Sequence, residues 1–168
     1  MPPKNQRFWL TTDAVSTVIG APGERLYDMV ADMPRMGEWS PECTTVEWID
    51  GATAPTVGAR FLGRNHTGPR GIIRWSRRGT VLVAERGREF AFATEEGGQE
   101  GVVWRYRMEP VPGGTRVTES YEVERIPMWA RILDVPTNRH RELLQGMAHT
   151  LDRLKAAAET TARTAESA

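Results

Sequence analysis

The stretch that decides the fold is PTNRHRELLQGMAHTLDRLKAAAE, residues 136–159. Its apolar side chains recur at the three- and four-residue spacing of one face of an α-helix. The members of this stripe are Leu143, Leu144, Met147, Leu151 and Leu154. A helix with a single apolar stripe must bury it against another layer. The stretch therefore predicts a long helix packed on a partner, with residues 160–168 fraying beyond it.

The partner layer is predicted upstream, where short alternating segments are separated by turn residues. The turns are DG at 50–51, GG at 97–98 and PGG at 112–114. The predicted strands are residues 11–20, 44–49, 59–66, 71–86, 88–95, 101–110 and 115–124. Gly79 indicates a bulge in the long fourth strand, and two short helices are expected between the first two strands. The chain is thus predicted to be α+β, with about seven antiparallel strands curved around one C-terminal helix.

Composition limits the classes of function. The chain of 168 residues has 22 basic and 22 acidic side chains, so it lacks the positive excess typical of nucleic-acid binding. Its basic run, Arg70, Arg74, Arg77 and Arg78, is predicted to be a solvated strand face. No apolar run reaches the length of a membrane span, so we expect no stable membrane insertion and a cytoplasmic location. We expect one domain over residues 1–168, with an ordered core at about 12–158.

Metal and cofactor chemistry finds little support in the sequence. The single cysteine, Cys43, allows no intramolecular disulfide, and we interpret it as a buried structural side chain. His66, His140 and His149 lack the spacing of metal ligands. No glycine-rich phosphate loop is present. We therefore expect neither a metal nor a cofactor.

Alternation along the predicted strands indicates which side chains face the helix. Those on one face of the last three strands are Phe90, Phe92, Val102, Trp104, Tyr106, Met108, Val117, Glu119, Tyr121 and Val123. On the strand at 59–66 we expect Phe61, Gly63 and Asn65 to face inward, because burying the bases of the other face would be costly. Small residues beside Phe61 leave room rather than fill it. The inward faces are thus aromatic, with one carboxylate among them.

Several local strings point to a known family. They are APGERLY at 21–27, MGEWSPEC at 36–43, VGARF at 57–61, GGTRVTES at 113–120 and TLDRLK at 150–155. Together with the element order, they resemble the START-like (SRPBCC) superfamily and its polyketide cyclase/dehydrase and lipid transport family, over about residues 12–158. The resemblance implies a helix-grip fold with an internal, largely apolar cavity for a hydrophobic small molecule. It supplies no catalytic motif that matches residue by residue.

Candidate ligand contacts follow from the inward faces and the helix stripe. They are Trp39, Phe61, Asn65, Trp75, Phe90, Phe92, Trp104, Tyr106, Glu119, Tyr121, Leu143 and Met147. The three tryptophans are equally well explained as surfaces that stack on a planar ligand or as core. Gly146 in the helix indicates a close approach to something bulky, either sheet side chains or a ligand, and packing is the favoured reading.

Candidate catalytic residues are Glu119, Tyr121 and His140. Burial would raise the pKa of Glu119 and suit it to proton transfer. The favoured alternative is that an arginine or a backbone group satisfies this carboxylate near the cavity edge. His140 lies on the helix face that carries the apolar stripe, at the expected mouth of the cavity, where an edge residue is the simpler reading.

Three functions remain open at the level of sequence. The first is a carrier or sensor that binds a lipid, a polyketide-like molecule or an isoprenoid. The second is a polyketide cyclase or dehydratase that uses acid–base residues in the cavity. The third is a protein-interacting domain, in which the apolar segment 126–135 drives formation of a homodimer. We favour the first, with the second as the alternative.

Overall fold

A seven-stranded antiparallel sheet and a long helix make up most of the computed structural model, which describes residues 12–67, 71–96, 98–123 and 139–166. The strands are β1 (Thr12–Ile19), β2 (Cys43–Ile49), β3 (Arg60–Thr67), β4 (Ile73–Glu85), β5 (Glu89–Glu96), β6 (Gln99–Val111) and β7 (Gly114–Val123). The helices are α1 (Gly23–Ala31), α2 (Met36–Trp39) and α3 (Arg139–Glu166), with a 3-10 turn at Met33–Arg35. The strand order is β1-β7-β6-β5-β4-β3-β2. This architecture confirms the predicted α+β helix-grip fold.

The long helix lies across one side of the sheet. It packs on β1 and β7, and on α1 and α2 at its other flank. Leu151, Leu154 and Ala158 are buried in the core at this contact. The Lys155 ammonium donates a hydrogen bond to the carbonyl oxygen of Val18, at 2.8 Å. The apolar stripe and this polar contact fix the position of α3 against β1.

The end of the long helix differs from the prediction. Residues 160–166, which were expected to fray, continue α3 as far as Glu166. This segment contains neither glycine nor proline, so nothing in it breaks a helix. The Thr160 hydroxyl donates to the carbonyl oxygen of Ala156, at 2.8 Å. Residues 136–138, the predicted start, lie outside the described residues.

The bulge in β4 is not at Gly79. The pairing with β5 shifts register between Val81 and Val83 instead. Gly79 lies opposite Phe61 in the pairing of β3 with β4. A Cβ atom added there would overlap Cζ of Phe61 and lie 2.8 Å from the carbonyl oxygen of Ala93. Glycine is therefore required by the ring that covers it, not by a bulge.

Burial confirms the predicted inward faces for the aromatic core, although Val103, on the opposite face of β6, is buried as well. Phe61, Phe90, Phe92 and Tyr106 are all buried members of one core.

The basic run was predicted less well. Arg74 and Arg78 are exposed. Arg77 is half-buried and pairs with Gly63, so it lies on the face of the sheet that packs toward α3, which we call the concave face. Arg70 lies outside the described residues.

Candidate functional site

An aromatic cluster covers the middle of the concave face. Phe92 lies between Phe61 and Phe90, with ring centroids 5.4 Å and 5.9 Å away. Tyr27 of α1 meets Phe90 edge-on, at 5.9 Å. Edge-on contacts between rings at this separation are favourable. The cluster therefore joins β3, β5 and α1 into one apolar wall.

A second aromatic pair continues this wall along β6 and β7. Trp104 and Tyr121 are opposite in the strand pairing, and their rings are tilted with centroids 5.7 Å apart. Trp104 also lies opposite Phe92 of β5. Tyr121 is buried, whereas Trp104 is only partly buried. Trp104 is thus the member of the wall with surface left for another molecule.

A buried carboxyl group lies next to this pair. Glu119 is 4% exposed and Tyr106 is 2% exposed. The Tyr106 hydroxyl donates a hydrogen bond to Oε1 of Glu119, at 2.8 Å, since the two residues are opposite in the pairing of β6 with β7. Within the described residues, Oε2 of Glu119 is buried and has no hydrogen-bond partner. The expectation of an arginine or backbone partner is therefore wrong.

Burial dominates the electrostatics of this pair. Removal from water raises the pKa of Glu119 to about 8, although the hydrogen bond from Tyr106 acts in the opposite direction. The pKa of Tyr106 is raised well above its usual value, first by burial and then by the neighbouring carboxylate. At neutral pH Glu119 therefore holds its proton for most of the time.

Cys43 is a buried thiol, as the sequence predicted. Burial raises its pKa to about 11, which leaves little reactive thiolate at neutral pH. Its Sγ atom lies 3.9 Å from the carbonyl oxygen of Thr45. No group of three or more metal-ligating side chains occurs within residues 12–67, 71–96, 98–123 and 139–166.

Trp39 belongs to the core and not to an open surface. Its side chain is buried, and its indole N–H donates to the carbonyl oxygen of Met29, at 3.2 Å. The guanidinium group of Arg35 lies 5.3 Å from the centre of its ring, at a distance that favours a cation–π contact. Trp39 thus ties α2 to α1.

Asn65 and Trp75 lie at one end of the sheet. They are opposite each other in the pairing of β3 with β4, and they line a cleft of about 510 Å³ together with Arg64, His66 and Arg74. The His66 Nδ1 atom and the Thr44 hydroxyl share a hydrogen bond of 2.9 Å. Among the candidates, this pair is thus set apart from the aromatic wall in a more polar cleft.

The helix contributes less to the candidate site than expected. Met147 is buried and Leu143 is half-buried. Gly146 faces Pro41, and an added Cβ atom would lie 3.8 Å from Cγ of that proline. This is ordinary contact, so among the described residues no bulky group demands a glycine. The side chain of His140 and the segment 126–135 lie outside what the structure describes.

Two features of the site were missed or left unresolved by the sequence. Arg77 lies on the concave face, and the alternation that begins at Trp75 was the available signal. Gly63, expected to leave room, is buried, and a Cβ atom added there would make only ordinary contacts, of which the nearest described one is to the Arg77 carbonyl oxygen at 3.8 Å. A methyl group is therefore excluded at Gly79 by the Phe61 ring and tolerated at Gly63.

With this geometry in place, comparison with known proteins identifies the family. Residues 12–159 match the family described as polyketide cyclase / dehydrase and lipid transport. The chain belongs to this family. A search of curated proteins gave no match.

This family member also resembles solved structures. A polyketide cyclase-like protein from Corynebacterium glutamicum is 34% identical, with 90% of this chain and 93% of that one covered and a TM-score of 0.60. A protein from Deinococcus radiodurans is 23% identical, with 87% and 94% covered and a TM-score of 0.58. The di-domain ARO/CYC StfQ of the steffimycin biosynthetic pathway is 15% identical, with 95% and 54% covered and a TM-score of 0.74. The last two likenesses show the shared fold alone.

The family match and the structural neighbours together indicate a fold that binds ligands. None of the helices in the described part of the chain is long and apolar enough to cross a membrane.

Proposed function

We propose that the protein binds a hydrophobic small molecule, such as a lipid, a polyketide-like compound or an isoprenoid, between the concave face of the sheet and α3. The observation that carries this proposal is the aromatic wall of Phe61, Phe90, Phe92, Trp104 and Tyr121, which faces inward from four strands. Burial of apolar ligand surface on such a wall contributes about 25 cal/mol per Å² before ordering costs.

A pocket for an apolar ligand also needs a few polar groups that fix orientation. The Tyr106–Glu119 pair is a polar group of this kind, buried beside the wall.

Binding of Nile red, a neutral apolar dye, tests the proposal. Trp104→Ala should weaken dye binding by about tenfold, since large aromatic contacts dominate such sites. Gly63→Leu should weaken it as well, by adding bulk to the concave face instead of removing part of the wall. Leu62→Ala is the matched control, because Leu62 is a half-buried apolar residue on the other face of β3. Fluorescence titration gives the dissociation constants. Equal affinity in all four proteins, or no dye binding by the wild type, contradicts the proposal.

A second candidate function is that of a polyketide cyclase or dehydratase, and Glu119 is the observation that favours it. A carboxyl group with a pKa of about 8 can both donate and accept a proton near neutral pH. Tyr106 holds its Oε1 atom, and Tyr121 and His140 remain candidates for further proton transfer. Turnover separates the two functions: a binding protein returns an added polyketone unchanged, whereas a cyclase returns it cyclised.

Other properties remain predictions. They are a cytoplasmic location, one domain over residues 1–168, the absence of nucleic-acid binding, and a homodimer formed through residues 126–135. The homodimer is the most accessible of these, because the mass in solution at several concentrations measures it directly.

A further inference from the structure

One oxygen atom on the concave face lacks the hydrogen-bond partner that a buried polar atom normally has. Oε2 of Glu119 is buried and lacks a hydrogen-bond partner among the described residues, whereas Oε1 accepts the hydrogen bond from Tyr106. A buried polar atom without a partner is unfavourable, and proteins retain few of them. An oxygen kept in this state next to an apolar wall is suited to a partner that arrives from outside the chain.

The hydrogen-bond pattern determines whether Oε2 of Glu119 acts as a donor or as an acceptor. The Tyr106 hydroxyl donates, so Oε1 acts as the carbonyl-like acceptor of the carboxyl group. In the neutral acid, the proton then resides on Oε2, which becomes a donor. A donor of this kind needs an acceptor oxygen on the ligand.

Among the described residues, the buried neighbours of Glu119 carry no positive charge. Four other titratable groups are buried in the same part of the protein, Tyr27, Cys43, Tyr106 and Tyr121, and each is neutral when protonated. Burial is the first cause that raises the pKa of Tyr27, Cys43 and Tyr106, so these three do not ionise near neutral pH, whereas Glu119 does. At the margins of the concave face lie the half-buried Asp13 and Arg77.

Over residues 141–160, where side chains of α3 are described, the buried face of the helix is also uncharged. Its buried members there are Met147, Thr150, Leu151, Leu154 and Ala158. The Thr150 hydroxyl donates to the carbonyl oxygen of Gly146, at 3.0 Å, and is therefore already engaged within the helix. An ionised ligand headgroup beside Glu119 would have to leave water without a buried cation among these described residues to pair with, which is costly.

We infer that Glu119 donates a hydrogen bond from Oε2 to a neutral acceptor oxygen, a ketone, ester or hydroxyl, on the apolar ligand. The buried carboxyl group thereby selects neutral oxygenated molecules over plain hydrocarbons and over fatty carboxylates. This inference rests on the proposed function and deepens it, because it names the class of ligand. Glu119 is a specificity residue here, whether or not the ligand is transformed.

Three probes of equal chain length test the inference: methyl heptyl ketone, nonane and nonanoate. Quenching of tryptophan fluorescence gives their affinities. The wild type should bind the ketone about five- to tenfold more tightly than nonane, which is the size of one net hydrogen bond. It should bind nonanoate more weakly than the ketone. Glu119→Leu should abolish the preference for the ketone over nonane, and Glu119→Gln should retain it, because its amide N–H also donates.

The pH provides a second test that needs no variant. Above about pH 8 the Glu119 carboxyl group loses its proton, so the preference of the wild type for the ketone should decline while that of Glu119→Gln persists. This test holds even if Glu119→Leu does not fold. A ketone preference that is the same in wild type and Glu119→Leu, or a wild-type preference that is constant from pH 6 to pH 9, overturns the inference while leaving the proposed function intact. Binding of none of the three probes overturns both.

Discussion

Glu119 shows what strand alternation reveals about a single residue and what it leaves open. Alternation places both Glu119 and Tyr106 on inward faces, and the structure confirms their burial. It does not give the register between β6 and β7, which sets the two residues opposite each other and so selects tyrosine instead of an arginine as the partner. A partner across two strands depends on pairing, and pairing is a property of the whole sheet.

Arg77 makes the same point for charge. A run of arginines suggests a solvated face, but alternate residues of a strand point to opposite sides of the sheet. Arg77 therefore shares the concave face with Trp75, while Arg74 and Arg78 are exposed on the other side. Position within the strand decides the environment of each base, and composition does not.

The buried carboxyl group of Glu119 should make the free energy of unfolding depend on pH. The pKa of Glu119 is about 8 in the folded chain, against an ordinary value of 4.5. The folded state therefore binds the proton more tightly than the unfolded state. The resulting stabilisation is complete below about pH 4.5 and is lost as the pH rises to about 8, at roughly 1 kcal/mol per pH unit.

Urea unfolding at several pH values measures this effect. We expect the free energy of unfolding of the wild type to fall relative to that of Glu119→Gln between pH 5 and pH 8, because glutamine resembles the protonated acid and does not titrate. Glu122→Gln is the matched control, since it removes an exposed carboxyl group from the other face of β7. Parallel pH profiles for the wild type and Glu119→Gln would show that Glu119 is not protonated in the folded protein.

The strands and helices were predicted closely, because their signals are local. Turn residues and alternation gave each strand to within about two residues at either end. The bulge was misplaced, because the glycine at 79 serves a contact with β3 that a single strand does not reveal. The end of α3 was misplaced for a related reason: the segment after residue 159 lacks an apolar stripe, but it also lacks a residue that breaks a helix.

Alanine substitutions at two glycines of the concave face should change the stability of the protein by different amounts. Gly79→Ala should lower the free energy of unfolding by about 2 kcal/mol, because the new methyl group overlaps the Phe61 ring and approaches the Ala93 carbonyl oxygen. Gly63→Ala should change it by less than about 0.5 kcal/mol, since the nearest described atom lies 3.8 Å away. Chemical denaturation of the two variants measures the difference. A loss of similar size at both positions would mean that the surroundings of Gly63 do not accommodate a methyl group.

At the scale of the whole molecule, the fold brings distant parts of the chain to one surface. The sheet order places β1 beside β7. The long helix α3 comes after β7 in the chain and packs on both strands, so the first strand and the last helix are in contact. The aromatic wall then draws on β3, β5, β6 and β7. The family and the fold were accessible from sequence strings alone, and residues 12–159 confirm them. The ligand could not be identified from the sequence, because an apolar surface recognises a molecule by area and shape and requires few specific residues.

Intermolecular nuclear Overhauser effects give the most direct test of whether an apolar molecule binds against the concave face. The experiment uses isotope-labelled protein mixed with unlabelled methyl heptyl ketone. We expect contacts from the ketone chain to the rings of Phe92 and Trp104, and none to Leu62 on the outer face of β3. Contacts to Leu62 and none to Phe92 or Trp104 would place the ligand outside the sheet and rule out binding to the concave face.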